Sequence, residues 1–323
     1  MDYGHDETEK ILKKTEKQLD KVYSQAYKEL KQKSDDYWSF FSTTDKLKRQ
    51  QLANGEITTA EYQQWRLSHY LTGKRWQTMS DQMAVEMTNT NKIAASVING
   101  HLPDVYALNA NYSFYQIEKD LGFRTSFTLY DRQTVERLVR DNPNLLPWQA
   151  RINTPEDIRY NKKNLTSAVT QGILQGESID QIADRMVKSP LRMCRNNAIT
   201  NARTMTTSAQ NGGRIDSYKR AESMGIHLKK QWVAQLNDRT RHEHRILDGQ
   251  IVEIDEKFTV EGYEIEYPGD PNAEPEMVYN CRCSTIPVLA ALENGGYNPY
   301  VNPVGLKGQS YEEWKYDKQN GAK

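Results

Sequence analysis

The residues best equipped for chemistry fall in two short runs, Asp238-Arg239-Thr240-Arg241-His242-Glu243-His244 and Asn280-Cys281-Arg282-Cys283. If residues 279–285 form a strand, the alternation of side chains puts Cys281 and Cys283 on one face. Two thiolates with one or two imidazoles then make a tetrahedral zinc set of His242, His244, Cys281 and Cys283. On a helix the two histidines diverge and one ligates; on an extended segment both do. The competing reading is packing, with the cysteines as small buried hydrophobes and His244 capping a turn. A third reading is catalytic. A His before a strand, with Glu253, Asp255 and Glu256 as oxygen ligands, is the equipment of a metal-dependent, HNH-like nuclease. Cys194 lies in a helical pattern with no His close in sequence and reads as core. There is no Walker loop and no GxGxxG.

Charge is the second resource. The chain has 43 basic and 43 acidic side chains, but they are not mixed evenly. Residues 151–245 hold 17 basic and 9 acidic groups, whereas residues 246–280 hold 1 basic and 10 acidic. Arg185, Arg192, Arg195, Arg203, Arg214, Lys219 and Arg220 lie across two expected helices. Such faces meet DNA phosphates without sequence preference, or a negative protein surface, or they pair with the acidic block.

These groups must be positioned by recognisable elements. Leu12, Thr15, Leu19, Val22, Ala26 and Leu30 recur at helical steps and predict an amphipathic helix of about 25 residues. Thr58 with Glu61 forms a capping box. A stripe through Trp76, Met83, Met87 and Val97 predicts another helix, closed by Gly100 and Pro103. Residues 105–150 read as an irregular joint with a short helix around 134–140. Pro155 opens a helix that Gly176 stops, and Ser178 with Gln181 opens a short one. Pro190 opens a long helix, with Gly212-Gly213 as a kink and Gly225 as its end. Strands are expected at 230–236, after the Asp248-Gly249 turn, at 263–267, and at 279–287 with both cysteines. Helices followed by clustered strands predict α+β: a largely helical N-terminal half and a C-terminal module of helices plus a small, mainly antiparallel sheet.

Leu, Ile, Val and Phe account for 62 of the 323 residues, which is thin for one large core and suits a subunit that finishes burying surface in an assembly. No apolar run approaches the roughly 18 residues of a membrane span, and the first residues lack a signal-peptide pattern. Three cysteines, two of them one residue apart, argue against a disulfide framework and for a reducing compartment.

Together, Trp232, Asp238-Arg239-Thr240-Arg241, His244, Leu247-Asp248-Gly249, Asp255-Glu256-Lys257-Phe258, Pro268-Gly269-Asp270-Pro271 and Asn280-Cys281-Arg282-Cys283 carry a resemblance. In order and spacing the chain resembles the phage head-morphogenesis family, the Mu F-like minor capsid proteins, over roughly residues 155–290. Asn201-Ala202-Arg203-Thr204 resembles the family's preceding helix, where Arg-Thr-Glu is common and Met205 here replaces the acid. The resemblance implies a non-enzymatic minor protein of the virion head, near the portal and inside the capsid, assembled in the host cytoplasm. Its implied partners are the portal, scaffold or coat protein and double-stranded DNA without sequence specificity, with no membrane. Its implied role is procapsid assembly with support of DNA packaging or ejection. In other branches a Cys-x-x-Cys pair and a His before the final Cys-x-Cys suggest zinc. Here Arg241, His244 and Val278 occupy those positions, leaving His244, Cys281 and Cys283, with His242 as the further candidate. The expected divisions are 1–104 (helical), 105–153 (connecting), 154–292 (head-morphogenesis domain) and 293–323 (extended tail).

Overall fold

Several helix starts follow local capping chemistry. A computed structural model describes residues 2–146, 149–290 and 308–321. Its helices are α1 (Tyr3–Ser39), α2 (Ser42–Ala53), α3 (Thr59–Tyr70), α4 (Gly73–Leu121), α5 (Arg132–Asp141), α6 (Thr154–Leu174), α7 (Ile179–Ser223), α8 (His242–Leu247), α9 (Pro275–Val278) and α10 (Tyr311–Gln319). The strands are β1 (Leu228–Val233), β2 (Ile251–Glu253), β3 (Phe258–Val260), β4 (Tyr263–Ile265) and β5 (Ser284–Leu289). The class is α+β. Thr58 and Glu61 exchange both capping-box hydrogen bonds, so α3 begins where two orphan amide donors are satisfied. Ser178 and Gln181 do the same ahead of α7.

Three expectations are corrected. Gly100 and Pro103 do not end the third helix; α4 runs through both to Leu121, across much of the stretch read as a joint. Pro190 does not open a helix; it lies inside α7, which starts at Ile179 and continues through Gly212-Gly213 to Ser223. The reason is the same at both prolines. An interior proline costs about 3 kcal/mol. Leu102, Val105 and Tyr106 flank Pro103, and Met186, Val187 and Leu191 flank Pro190, all buried. Each such side chain gains about 1.5–3 kcal/mol by burial, so tertiary packing outweighs the lost bond. The last strand, thirdly, begins at Ser284, after both cysteines. The extended tail expected from 293 lies mostly outside the described residues, which resume at 308 and hold α10 around Tyr311 and Trp314.

The chain packs into two units, one of Met1–Thr15, Ile98–Gln149 and Thr200–Lys323, the other of Glu16–Val97 and Ala150–Ile199. Helices α1, α4 and α7 supply residues to both. In the first unit β1 is central, antiparallel to β2 and to β5, with Trp232 opposite Thr285 and Lys230 opposite Val252. β3 and β4 form a separate hairpin. One core of this unit gathers Trp232, Leu247, Phe258, Met277, Cys281 and Cys283. In the second unit Asp45 is a buried hub that accepts from Tyr62 Oη (2.7 Å), Tyr70 Oη (2.6 Å) and Arg49 Nε (2.8 Å). Among the described residues no helix is long and apolar enough to cross a membrane.

Candidate metal centre and the helix that frames it

The centre is built on the part of α7 that belongs to the first unit. Thr204, Thr207, Asn211, Arg214 and Tyr218 recur at steps of three and four and form one buried polar stripe. They satisfy the backbone of the segment ahead of and entering β5. Thr204 Oγ1 accepts from Asn280 N (3.1 Å), and Thr207 Oγ1 donates to Cys281 O (2.5 Å). Asn211 Nδ2 donates to Pro268 O (2.9 Å) and Cys283 O (3.2 Å), while its Oδ1 accepts from Thr285 N (3.0 Å). Arg214 Nη1 and Tyr218 Oη both donate to Thr285 O. Buried backbone groups left unpaired are costly, so a helix face takes the place of a missing strand. Gly269 is where the Pro-Gly-Asp-Pro loop meets α7. A Cβ there would stand 2.8 Å from Ser208 N, and φ is +86°, so both space and conformation require glycine.

The loop after α9 turns at Asn280, which has φ +57°, and Cys283 N donates back to Cys281 Sγ (3.4 Å). The turn, rather than strand alternation, brings the two sulfurs to one side. α8 delivers His244 from across the module. Arg245 anchors the preceding loop by donating to Thr240 O (3.1 Å) and Asn237 O (2.6 Å). Asp248 Oδ1 accepts from Ala234 N (2.8 Å), and Gly249, at φ +82°, donates to Trp232 O (2.9 Å). The Asp-Gly turn is thereby pinned to β1. Trp232 meets the His244 ring edge-on at 5.6 Å.

His244 Nδ1 lies 3.4 Å from Cys283 Sγ and 3.6 Å from Cys281 Sγ, and all three residues are buried. Zinc bonds of about 2.0 Å to nitrogen and 2.3 Å to sulfur, at tetrahedral angles, require N···S separations of about 3.6 Å. Both N···S separations therefore suit a tetrahedral site, and all three ligand atoms lie within 4.8 Å of one another. Among the described residues no other His, Cys, Asp or Glu joins this group. Burial pushes the Cys281 thiol well up. The hydrogen bond that Cys281 donates, together with His244 and the Gln235 amide, holds Cys283 well below an ordinary thiol.

His242 does not join the set. It is 72% exposed, with Nε2 3.5 Å from Glu261 Oε1. The helical start of α8 makes the two histidines diverge. Glu253, Asp255 and Glu256 are exposed and stand apart from the cluster. Buried between two sulfurs and an indole, His244 is poorly placed to activate water for a nuclease. Cys194 is core, held to Asn91 and Asn161.

Three other motif residues have structural tasks. Thr240 bonds the turn around Asn237, Arg241 donates to Tyr279 O, and Arg282 faces Glu9 at 3.8 Å. Asp238 and Arg239 are exposed. The cations named from the sequence are mostly engaged. Arg185 pairs with Glu177, Arg195 with Asp20, and Lys219 with Glu266 of the acidic block. Arg220 lies over the Tyr130 and Phe114 rings. Arg203 is half-buried and Arg192 exposed. Arg214 is no surface contact: it is fully buried, holding Asp2 through two 2.7 Å bonds and Asn109 Oδ1 at 3.0 Å. The Thr204, Thr207 and Asn211 contacts escape sequence reading, although the three-and-four spacing is present, because a polar helical stripe ordinarily faces water.

Comparison with known proteins places these observations. The family described as Phage Mu protein F like protein matches residues 163–286. The minor head protein GP7 of Bacillus phage SPP1 is 28% identical over 318 residues, covering 96% of this chain and 94% of that protein. An NAD(+)--arginine ADP-ribosyltransferase EFV of Enterococcus faecalis is 32% identical over 170 residues, 50% of this chain but 33% of that protein. The uncharacterized protein YqbB of Bacillus subtilis is 28% identical over 155 residues, 47% of each. No solved structure matches.

Proposed function

Because the chain belongs to the phage head-morphogenesis family, we propose that it is a non-enzymatic minor protein of the virion head. In this reading it is built in beside the portal, with scaffold or coat protein around it, during procapsid assembly in the host cytoplasm. There it contacts DNA without sequence preference and supports packaging or ejection. The observation that carries the reading is the alignment with a minor head protein along nearly the whole of both chains. The geometry agrees in kind, since most of the motif residues are spent on turns, on backbone satisfaction and on a closed cluster. The transferase activity named for the E. faecalis protein is not carried over, because the shared stretch is one third of that protein.

His244, Cys281 and Cys283 would hold a zinc ion, whose contribution when bound is a cross-link between α8 and the loop entering β5. Procapsids purified from a producing host test the main proposal: the protein should co-purify with portal protein. Absence from both procapsids and virions would sink it.

A further inference from the structure

The positive excess of residues 151–245 needs a location, since Arg185, Arg195, Arg214 and Lys219 are paired internally. It is found on α6. No Asp or Glu occurs between Asp157 and Glu177. Within that stretch Arg159, Lys162, Lys163, Thr166, Ser167 and Thr170 line one open groove of about 510 Å³. Arg159, Lys163, Ser167 and Gln171 follow each other at steps of four and are exposed. Of the two acids just before the stretch, Glu156 is exposed and Asp157 has a carboxylate oxygen held by Asn91 Nδ2 (2.9 Å) and Asn161 Nδ2 (3.0 Å). Lys162 is paired with Asp81, so the charge this face offers is that of Arg159 and Lys163.

We propose that this acid-free face of α6 is where the protein grips the phosphate backbone of duplex DNA. The proposal rests on the DNA contact included in the function above and names its site. The lining decides between DNA and an acidic protein. Cores of protein interfaces are enriched in aromatic residues and depleted in Lys and Ser. Phosphate oxygens are bound by the groups present here: guanidinium, ammonium, hydroxyl and amide. No residue of the groove is apolar. Thr166 and Thr170 now donate to Lys162 O and Thr166 O, and rotation of each hydroxyl turns the donor outward. From Arg159 to Gln171 the face is about 18 Å long at 1.5 Å per residue, enough to follow several phosphates.

The test is fluorescence anisotropy of the full chain with random-sequence duplexes of about 30 base pairs, at several salt concentrations. Arg159→Gln with Lys163→Gln should weaken binding about tenfold and reduce the slope of log K against log salt by about two. An Arg195→Gln/Lys219→Gln variant, which removes paired cations, should keep the wild-type slope. Thermal melts confirm that both variants fold. An unchanged slope in the α6 variant, or a slope lost only in the paired-cation variant, overturns the assignment. If the wild type binds no duplex yet is present in procapsids, the inference fails while the head-protein reading stands. If the α6 variant binds DNA normally but is missing from procapsids, the face meets protein and the proposal is wrong.

Discussion

Cys281 and Cys283 converge because Asn280 adopts a left-handed conformation and Cys283 N reaches back to Cys281 Sγ. His244 completes the trio because Trp232 and the Asp248-Gly249 turn hold α8 against them. One zinc per chain is the expected result of metal analysis on purified protein, with loss of the metal in Cys283→Ser and no change in His242→Ala. Zinc present at a thousandfold its Kd would stabilise the fold by about 4 kcal/mol, read as a chelator-sensitive melting temperature. A metal-free protein whose melting ignores chelator would remove the zinc assignment. The residue types of this cluster were legible in the sequence and the resemblance put His244 first, but spacing alone left the choice between His242 and His244 open. That choice depends on α8 being a helix, and its six residues are too few to announce themselves by periodicity.

At the scale of elements, glycine reports what a helix meets. A Cβ on Gly213 would stand 2.5 Å from Tyr106 O, so α7 and α4 approach there backbone to backbone. A Cβ on Gly100, also in a helix, would meet nothing within 4 Å. Alanine is better than glycine in a helix by about 1 kcal/mol, whereas forced overpacking costs about 1–3 kcal/mol. Gly100→Ala should therefore raise stability and Gly213→Ala lower it, as urea midpoints would show. Equal signs would refute the close approach. From the sequence the Gly212-Gly213 pair reads as a kink, and Gly100 with Pro103 as a stop. Both readings weigh local propensity alone, and burial of Leu102, Val105 and Tyr106 outweighs it. The capping boxes at Thr58 and Ser178 were readable because their partners lie three residues away.

At the scale of the whole molecule, Asp2 and Arg214 are 212 residues apart and form a bidentate pair inside the first unit. Burial would raise the Asp2 carboxyl, but the charge and hydrogen bonds of Arg214 prevail and hold it below the ordinary aspartate value. A depressed carboxyl adds stability above its unfolded pKa and loses it as pH falls through the folded one. Asp2→Asn should cost about 3 kcal/mol near neutral pH, because it strands a buried guanidinium. The gap to wild type should narrow as pH falls through the depressed pKa of the folded Asp2 carboxyl. A gap that persists in acid would argue against the pair. The sequence by itself determined the α+β class, the helical character of the first half, the capping boxes, the motif series and the uneven placement of charge. Each is written in residue types, local spacing or composition. Only the tertiary structure decided which polar stripe is buried, which cations are neutralised, which histidine meets the thiols and where the free positive charge remains. Periodicity tells which residues share a face but not what that face touches, and these contacts join residues tens to hundreds of positions apart.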